Sequence, residues 1–78
     1  MSRAEKATFM TGNEYRELLT RLGLDIAKSG SFLQIDRRTS SRRANGDIEI
    51  GFETAALLRL MVKLHLTPDQ VARIVMKP

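Results

Sequence analysis

Helix start and stop signals follow one another so closely along this chain that only short helices can form. Thr11, Asp25, Asp36 and Thr67 each stand where a side-chain oxygen can take up a backbone N–H left open at a helix start. Gly23 and the run Asn45-Gly46-Asp47 stand where a helix must end. Between the first pair of signals, Tyr15, Leu18, Leu19 and Leu22 recur at i, i+3, i+4 and i+7, opposed by Glu14, Arg16, Glu17 and Arg21. This predicts an amphipathic helix beginning near Gly12, with Thr11 and Glu14 as a capping box and Gly23 as the left-handed residue that closes it.

Asp25 predicts a second helix from Ile26 to about Leu33. Its middle, Lys28-Ser29-Gly30-Ser31, is poor helix sequence, Gly30 alone costing about 1 kcal/mol relative to Ala, so tertiary contacts through Ile26, Phe32 and Leu33 must hold it. After a break at Gln34-Ile35, Asp36 is placed to cap a third helix from Arg37 to about Ala44. Ile48, Ile50 and Phe52 alternate with Glu49 and Gly51; five residues do not separate a strand from a connector, and we prefer an extended connector whose isoleucines plug the core. A fourth helix runs from about Glu53 to Leu64. Leu57, Leu58, Leu60, Met61, Val62 and Leu64 surround most of it, more apolar surface than a small core absorbs, which suggests a helix that also faces a partner. Thr67-Pro68-Asp69-Gln70 opens a fifth, with Val71, Ile74 and Val75, ending near Pro78.

The expected architecture is therefore all-α, five short helices around one core. With 78 residues and no cysteine, the chain has room for one small domain whose support must come from burial or self-association. Residues 1–10 read as a flexible N-terminal arm and 11–78 as the folded domain, with Met10 standing at the boundary where order could begin. No apolar run approaches the roughly 18 residues of a membrane span, and the N-terminus has no signal-peptide core, so a soluble, cytoplasmic protein is expected. Catalysis is not expected. The one histidine, His65, lies in an apolar stretch without a cysteine or acidic cluster, and the five glycines are scattered rather than gathered into a phosphate loop. We expect no metal, no cofactor and no small-molecule effector.

Charge is distributed unevenly. Arg37-Arg38-Thr39-Ser40-Ser41-Arg42-Arg43 holds four arginines and no acid, while the rest of the chain balances nine basic against nine acidic residues, so the formal excess of +4 sits in this stretch. On a helix Arg38 and Arg42 share a face and Arg37 lies a short rotation away, a compact cationic surface suited to phosphates.

Met10-Thr11-Gly12-Asn13-Glu14-Tyr15-Arg16-Glu17-Leu18-Leu19, then Leu22-Gly23-Leu24, then Phe32-Leu33-Gln34-Ile35-Asp36-Arg37-Arg38-Thr39, and later Thr54-Ala55-Ala56-Leu57-Leu58-Arg59-Leu60-Met61, resemble the Cro/C1-type helix-turn-helix repressors of bacteria and phages. The resemblance covers roughly Met10 to Val75. It implies a lambda-repressor-like domain in which the third helix enters the major groove. The chain departs from the family in carrying Gln34 where a small residue, most often Gly, is usual in the turn. It also has Ser29 in place of an apolar helix former, and no Trp near Arg43.

Carried over residue by residue, the resemblance implies that Arg37, Arg38, Ser41 and Arg42 read bases, each bidentate arginine–guanine pair giving about 1–3 kcal/mol of discrimination. It implies phosphate contacts for Lys28, Thr39, Ser40 and Arg43. Two-fold operators call for a two-fold protein, so a homodimer on a palindromic operator is expected, through Leu57, Leu60, Met61 and Leu64 or through Val71, Ile74 and Val75. Compact regulators of this kind resemble those of phages and mobile elements, including antitoxins and regulators of anti-CRISPR operons. The alternative is a protein-binding module, an antitoxin or inhibitor using the apolar helix 57–64. RNA binding is disfavoured because only Phe9, Tyr15, Phe32 and Phe52 carry rings for base stacking.

Overall fold

Local chemistry at the helix ends decides the layout. The computed structural model describes residues 9–76. It contains five helices, α1 (Gly12–Arg21), α2 (Ile26–Leu33), α3 (Arg37–Ala44), α4 (Phe52–Lys63) and α5 (Pro68–Met76). Among the described residues there is no strand; the connector between α3 and α4 buries Ile50 and half-buries Ile48, so its isoleucines serve the core as expected, whereas Phe52 opens α4 and is 64% exposed. No helix among the described residues is long and apolar enough to cross a membrane.

The caps form with two exceptions. Asp25 Oδ1 accepts the Lys28 N–H at 2.7 Å. Thr67 and Gln70 form the full reciprocal box, Gln70 N–H donating to Thr67 Oγ1 at 3.0 Å and Thr67 N–H to Gln70 Oε1 at 2.8 Å. At α1 only half of the expected box exists. Thr11 Oγ1 accepts the Glu14 N–H at 3.1 Å, but the Glu14 carboxylate accepts two bonds from Arg59 on α4, both at 2.9 Å, instead of turning back to Thr11. Asp36 holds the N-cap position of α3 without making a side-chain cap bond.

Helices α1 to α4 all end in one way. Leu24, Ile35, Asp47 and Leu66 donate their N–H groups to the carbonyls of Leu19, Gly30, Arg42 and Met61, at 2.8, 2.9, 2.8 and 2.8 Å. Each bond closes over a left-handed residue, at φ 73° for Gly23, 61° for Gln34, 80° for Gly46 and 57° for His65. Gly23 and Gly46 adopt this region freely. Gln34 and His65 occupy it against a Cβ penalty of roughly 1–2 kcal/mol.

The core gathers Met10, Tyr15, Leu19, Ala44, Ile50, Ala55 and Leu58, flanked by half-buried Leu18, Leu22, Leu24, Ile26 and Leu33. α3 packs against α1 and α2, and α4 against α1. α5 is joined less closely, leaving a groove of about 280 Å³ where its Val71, Ala72 and Val75 face Phe32 of α2 and Leu57 of α4.

The boundary of the expected arm is corrected at its inner end. Met10 is 3% exposed, and Phe9 donates its N–H to the Ile50 carbonyl at 3.0 Å while its own carbonyl accepts from Arg59 Nη2 at 2.7 Å. Residues 9 and 10 therefore belong to the fold; residues 1–8 lie outside the described residues. The Phe9 ring stacks edge-on against Phe52, their centroids 5.6 Å apart.

Candidate nucleic-acid interface

The sequence of α3, Arg-Arg-Thr-Ser-Ser-Arg-Arg-Ala, has no large apolar residue, so the helix cannot be keyed into the core by a bulky side chain. It buries instead its two small residues at i, i+4 spacing, Ser40 and Ala44. At 100° per residue Arg38 and Arg42 each lie about 160° around the helix from Ser40, on the side away from the core. Both are exposed, as is Arg37. Among the described residues none of these three makes an ion pair or a side-chain hydrogen bond. Ser41 is half-buried at the flank, and with Arg37, Arg38, Asp36 and Ile26 it lines an open concavity where the start of α3 meets the start of α2. Of the four residues expected to read bases, Arg38 and Arg42 thus share the outward face, while Ser41 lies on its flank and Arg37 stands exposed at the start of the helix, nearer the buried strip.

The four expected phosphate contacts are not equivalent. Lys28 is exposed on α2 and Thr39 is half-buried on the flank of α3. Ser40 is a correction: it is fully buried, so its hydroxyl cannot reach a phosphate. Its Oγ lies 2.7 Å from Tyr15 Oη and 2.6 Å from Ser29 Oγ, and Ser29 Oγ donates to the Ile26 carbonyl at 2.7 Å. Each hydroxyl carries one proton, and that of Ser29 is committed to Ile26. Ser40 must therefore donate to Ser29, and Tyr15 to Ser40. The chain runs in one direction from α1 through α3 to the first residue of α2, with all three side chains fully buried.

Arg43 also differs from expectation. It is half-buried and reaches across to α4, where Nη1 donates to Thr54 Oγ1 at a long 3.4 Å, and its Nε is buried without a partner among the described residues. It ties α3 to α4 rather than standing outward with the other arginines.

Two glycines fix the helix at its ends. A Cβ on Gly30 would stand 3.0 Å from the Ile35 carbonyl oxygen and 3.4 Å from Arg37 Cα, so the weak centre of α2 is what lets the start of α3 approach. A Cβ on Gly12 would stand 2.7 Å from the Ala44 carbonyl oxygen and 2.9 Å from that of Arg43, so α1 and the end of α3 touch backbone to backbone.

The residues expected at a dimer seam lie on α4, at its C-terminal end and on α5. Met61 is a correction: it is 1% exposed, packed inside the protomer with Ala55 and Leu58 on the same face of α4. Leu57 and Val71 are half-buried along the groove between α4 and α5. Leu60, Leu64, Ile74 and Val75 are 54%, 57%, 69% and 69% exposed. Leu57, Leu60 and Leu64 fall within about 60° of one another around α4, a single apolar stripe.

Sequence reasoning missed the buried roles of Ser29, Ser40 and Met10. The i, i+4 pair Ser40/Ala44 was the available signal, since an arginine-rich helix has to turn something toward the core. Comparison with known proteins finds no match to the chain among protein-family models, curated proteins or solved structures.

Proposed function

We propose that this protein is a cytoplasmic, sequence-specific regulator that binds duplex DNA through a lambda-repressor-like helix-turn-helix, with α2 and α3 as the pair and α3 as the recognition helix. The observation that carries this reading is the exposure of Arg38 and Arg42 on the face of α3 turned away from its buried strip, with Arg37 exposed at the start of the helix, all three free of ion pairs among the described residues. Bare arginines on a helix backed by two others match what the major groove offers, guanine O6 and N7 for bidentate pairing and phosphates along the rim. Two eight-residue helices with a three-residue turn between them supply the spacing of the motif. Arg37, Arg38, Ser41 and Arg42 are the base-reading residues of this proposal; Lys28 and Thr39 hold phosphates.

The protein acts as a homodimer on an inverted repeat, with Leu60, Leu64, Ile74 and Val75 at the seam. Four large side chains more than half exposed on two successive helices are the mark of a surface built to be covered. The same stripe supports the second reading, in which the chain seizes a different protein and the arginines meet acidic protein surface.

Fluorescence anisotropy against the duplex that flanks the protein's own coding sequence and against a shuffled duplex, at about 50 and 200 mM salt, separates the two. The DNA reading expects a preference of about a thousandfold that persists at the higher salt, and its loss in Arg38→Glu/Arg42→Glu. Equal, salt-labile binding to both duplexes counts against it.

A further inference from the structure

Rotation of α3 about its own axis decides where its arginines point. At a radius of about 5–6 Å for the side-chain shell, a 20° turn of the helix carries a guanidinium sideways by about 2 Å. A bidentate contact to a base edge tolerates only a few tenths of an ångström. Helices are ordinarily held against such rotation by large apolar side chains set into the core, and α3 has none; its one half-buried large side chain, Arg43, makes only a long 3.4 Å bond to Thr54. Its buried side is Ser40 and Ala44, a hydroxymethyl and a methyl group. The two close glycine contacts hold the ends of α3 at a distance but carry no directional bond that would resist turning.

Beside the long Arg43–Thr54 bond and the exposed Arg16–Asn45 bond at the end of the helix, the buried directional restraint is the hydroxyl chain. Ser40 accepts from Tyr15 at 2.7 Å on one side and donates to Ser29 at 2.6 Å on the other, so α3 is held from α1 and α2 at once. Turning the helix either way lengthens one of these two bonds, and each leaves a hydroxyl that is fully buried and has no access to water. The one residue of α3 that grips both neighbours lies directly behind Arg38 and Arg42.

We propose that Tyr15, Ser40 and Ser29 set the rotational phase of α3 and so determine base selectivity, as positioning residues that never touch the nucleic acid. The proposal rests on the duplex-DNA reading. It separates two parts of the binding energy. Phosphate attraction follows charge and survives a small rotation, whereas base discrimination follows geometry and does not.

The test uses the full chain as wild type, Tyr15→Phe and Ser40→Ala, each checked for helicity by circular dichroism. Tyr15→Phe keeps the ring volume and removes only the donor, so it carries the test if Ser40→Ala does not fold. Each protein selects from a duplex pool randomised over twenty base pairs, and the enriched wild-type sequence is then compared with its single-base variants. The expected result is a fall of about tenfold in discrimination between the selected duplex and those variants, with binding to the unselected pool changed by less than twofold. Residual dipolar couplings of the α3 amides, measured without DNA, are expected to show the helix rotated relative to α1 in both variants, a change that loss of stability alone does not produce.

Folded variants that recover the wild-type sequence with wild-type discrimination overturn the proposal, as do unchanged couplings. A wild-type protein that enriches no sequence overturns the DNA reading instead. In that case the couplings alone decide whether the hydroxyl chain sets the phase of the helix.

Discussion

Gly12→Ala is a substitution that local propensity and tertiary structure judge in opposite senses. Position 12 opens α1, where alanine is the better helix former by up to about 1 kcal/mol. Yet the new Cβ would lie 2.7 Å from the Ala44 oxygen, 2.9 Å from the Arg43 oxygen and 3.0 Å from the Gly46 nitrogen, where ordinary contact begins at 3.4 Å. All three are backbone atoms in the last turn of α3 and the turn that follows it, so no side-chain rotation relieves the overlap. α3 must move away from α1, straining the Tyr15–Ser40 bond and loosening Ala44 in the core. Overpacking of this kind costs about 1–3 kcal/mol, and it outweighs the propensity gain because only part of that gain applies at a helix start. We expect a net loss of about 2 kcal/mol, which for a domain of this size lowers Tm by roughly 8–16 °C. Thermal and urea unfolding followed by circular dichroism read both quantities. Gly51→Ser is the control: nothing lies within 4 Å of its Cβ, and serine at this uncapped start of α4 should leave stability unchanged or raise it by a few tenths of a kcal/mol. A Gly12→Ala protein as stable as the wild type would refute the backbone contact between α1 and α3.

Four further outcomes follow from the geometry. Gln34→Gly and His65→Gly each remove a Cβ from a left-handed position and should raise stability by about 0.5–1 kcal/mol after the entropy cost of glycine, measurable as a higher urea midpoint. Arg59 hydrogen bonds hold the Glu14 carboxyl below its ordinary value, against a lesser opposing effect of desolvation. A depressed folded-state value means stability that is present above the unfolded value and lost as pH falls through the folded one. Glu14→Gln should therefore be less stable than wild type at neutral pH, and the gap should close below the usual carboxylate range of about 4; a gap independent of pH contradicts the assignment. Arg38→Glu/Arg42→Glu should fold with stability within about 0.5 kcal/mol of wild type, since neither residue has a partner among the described residues, while losing duplex binding. Leu60→Glu/Ile74→Glu should move sedimentation from dimer to monomer without loss of helicity; a monomeric wild type removes the homodimer from the account.

What could be read from the sequence and what could not divide along a physical line. Caps at Asp25 and Thr67 act within four residues, so their local signal sufficed to place α2 and α5. The left-handed ends at Gln34 and His65 carried no glycine to mark them; tertiary packing holds these residues in a conformation their own side chains disfavour. Gly30 looked like a flaw in a helix because its reason lies in the approach of Arg37 and Ile35 from the next element. Glu14 had the spacing of a capping box, but a bidentate arginine 45 residues away competes better for its carboxylate than one backbone N–H. Within the arginine cluster, periodicity correctly set Arg38 and Arg42 on one face. It could not separate Ser40, which turns inward to two buried hydroxyls, from Ser41 beside it, because that difference depends on where α1 and α2 lie.

The outward face of α3 as the DNA-binding surface is tested most directly by titrating the isotopically labelled protein with duplex DNA and following its amide resonances. Shifts are expected to concentrate at Arg37, Arg38, Ser41 and Arg42 and along the start of α2, with α5 unaffected. Shifts confined to residues 57–75, or none at all, would contradict it.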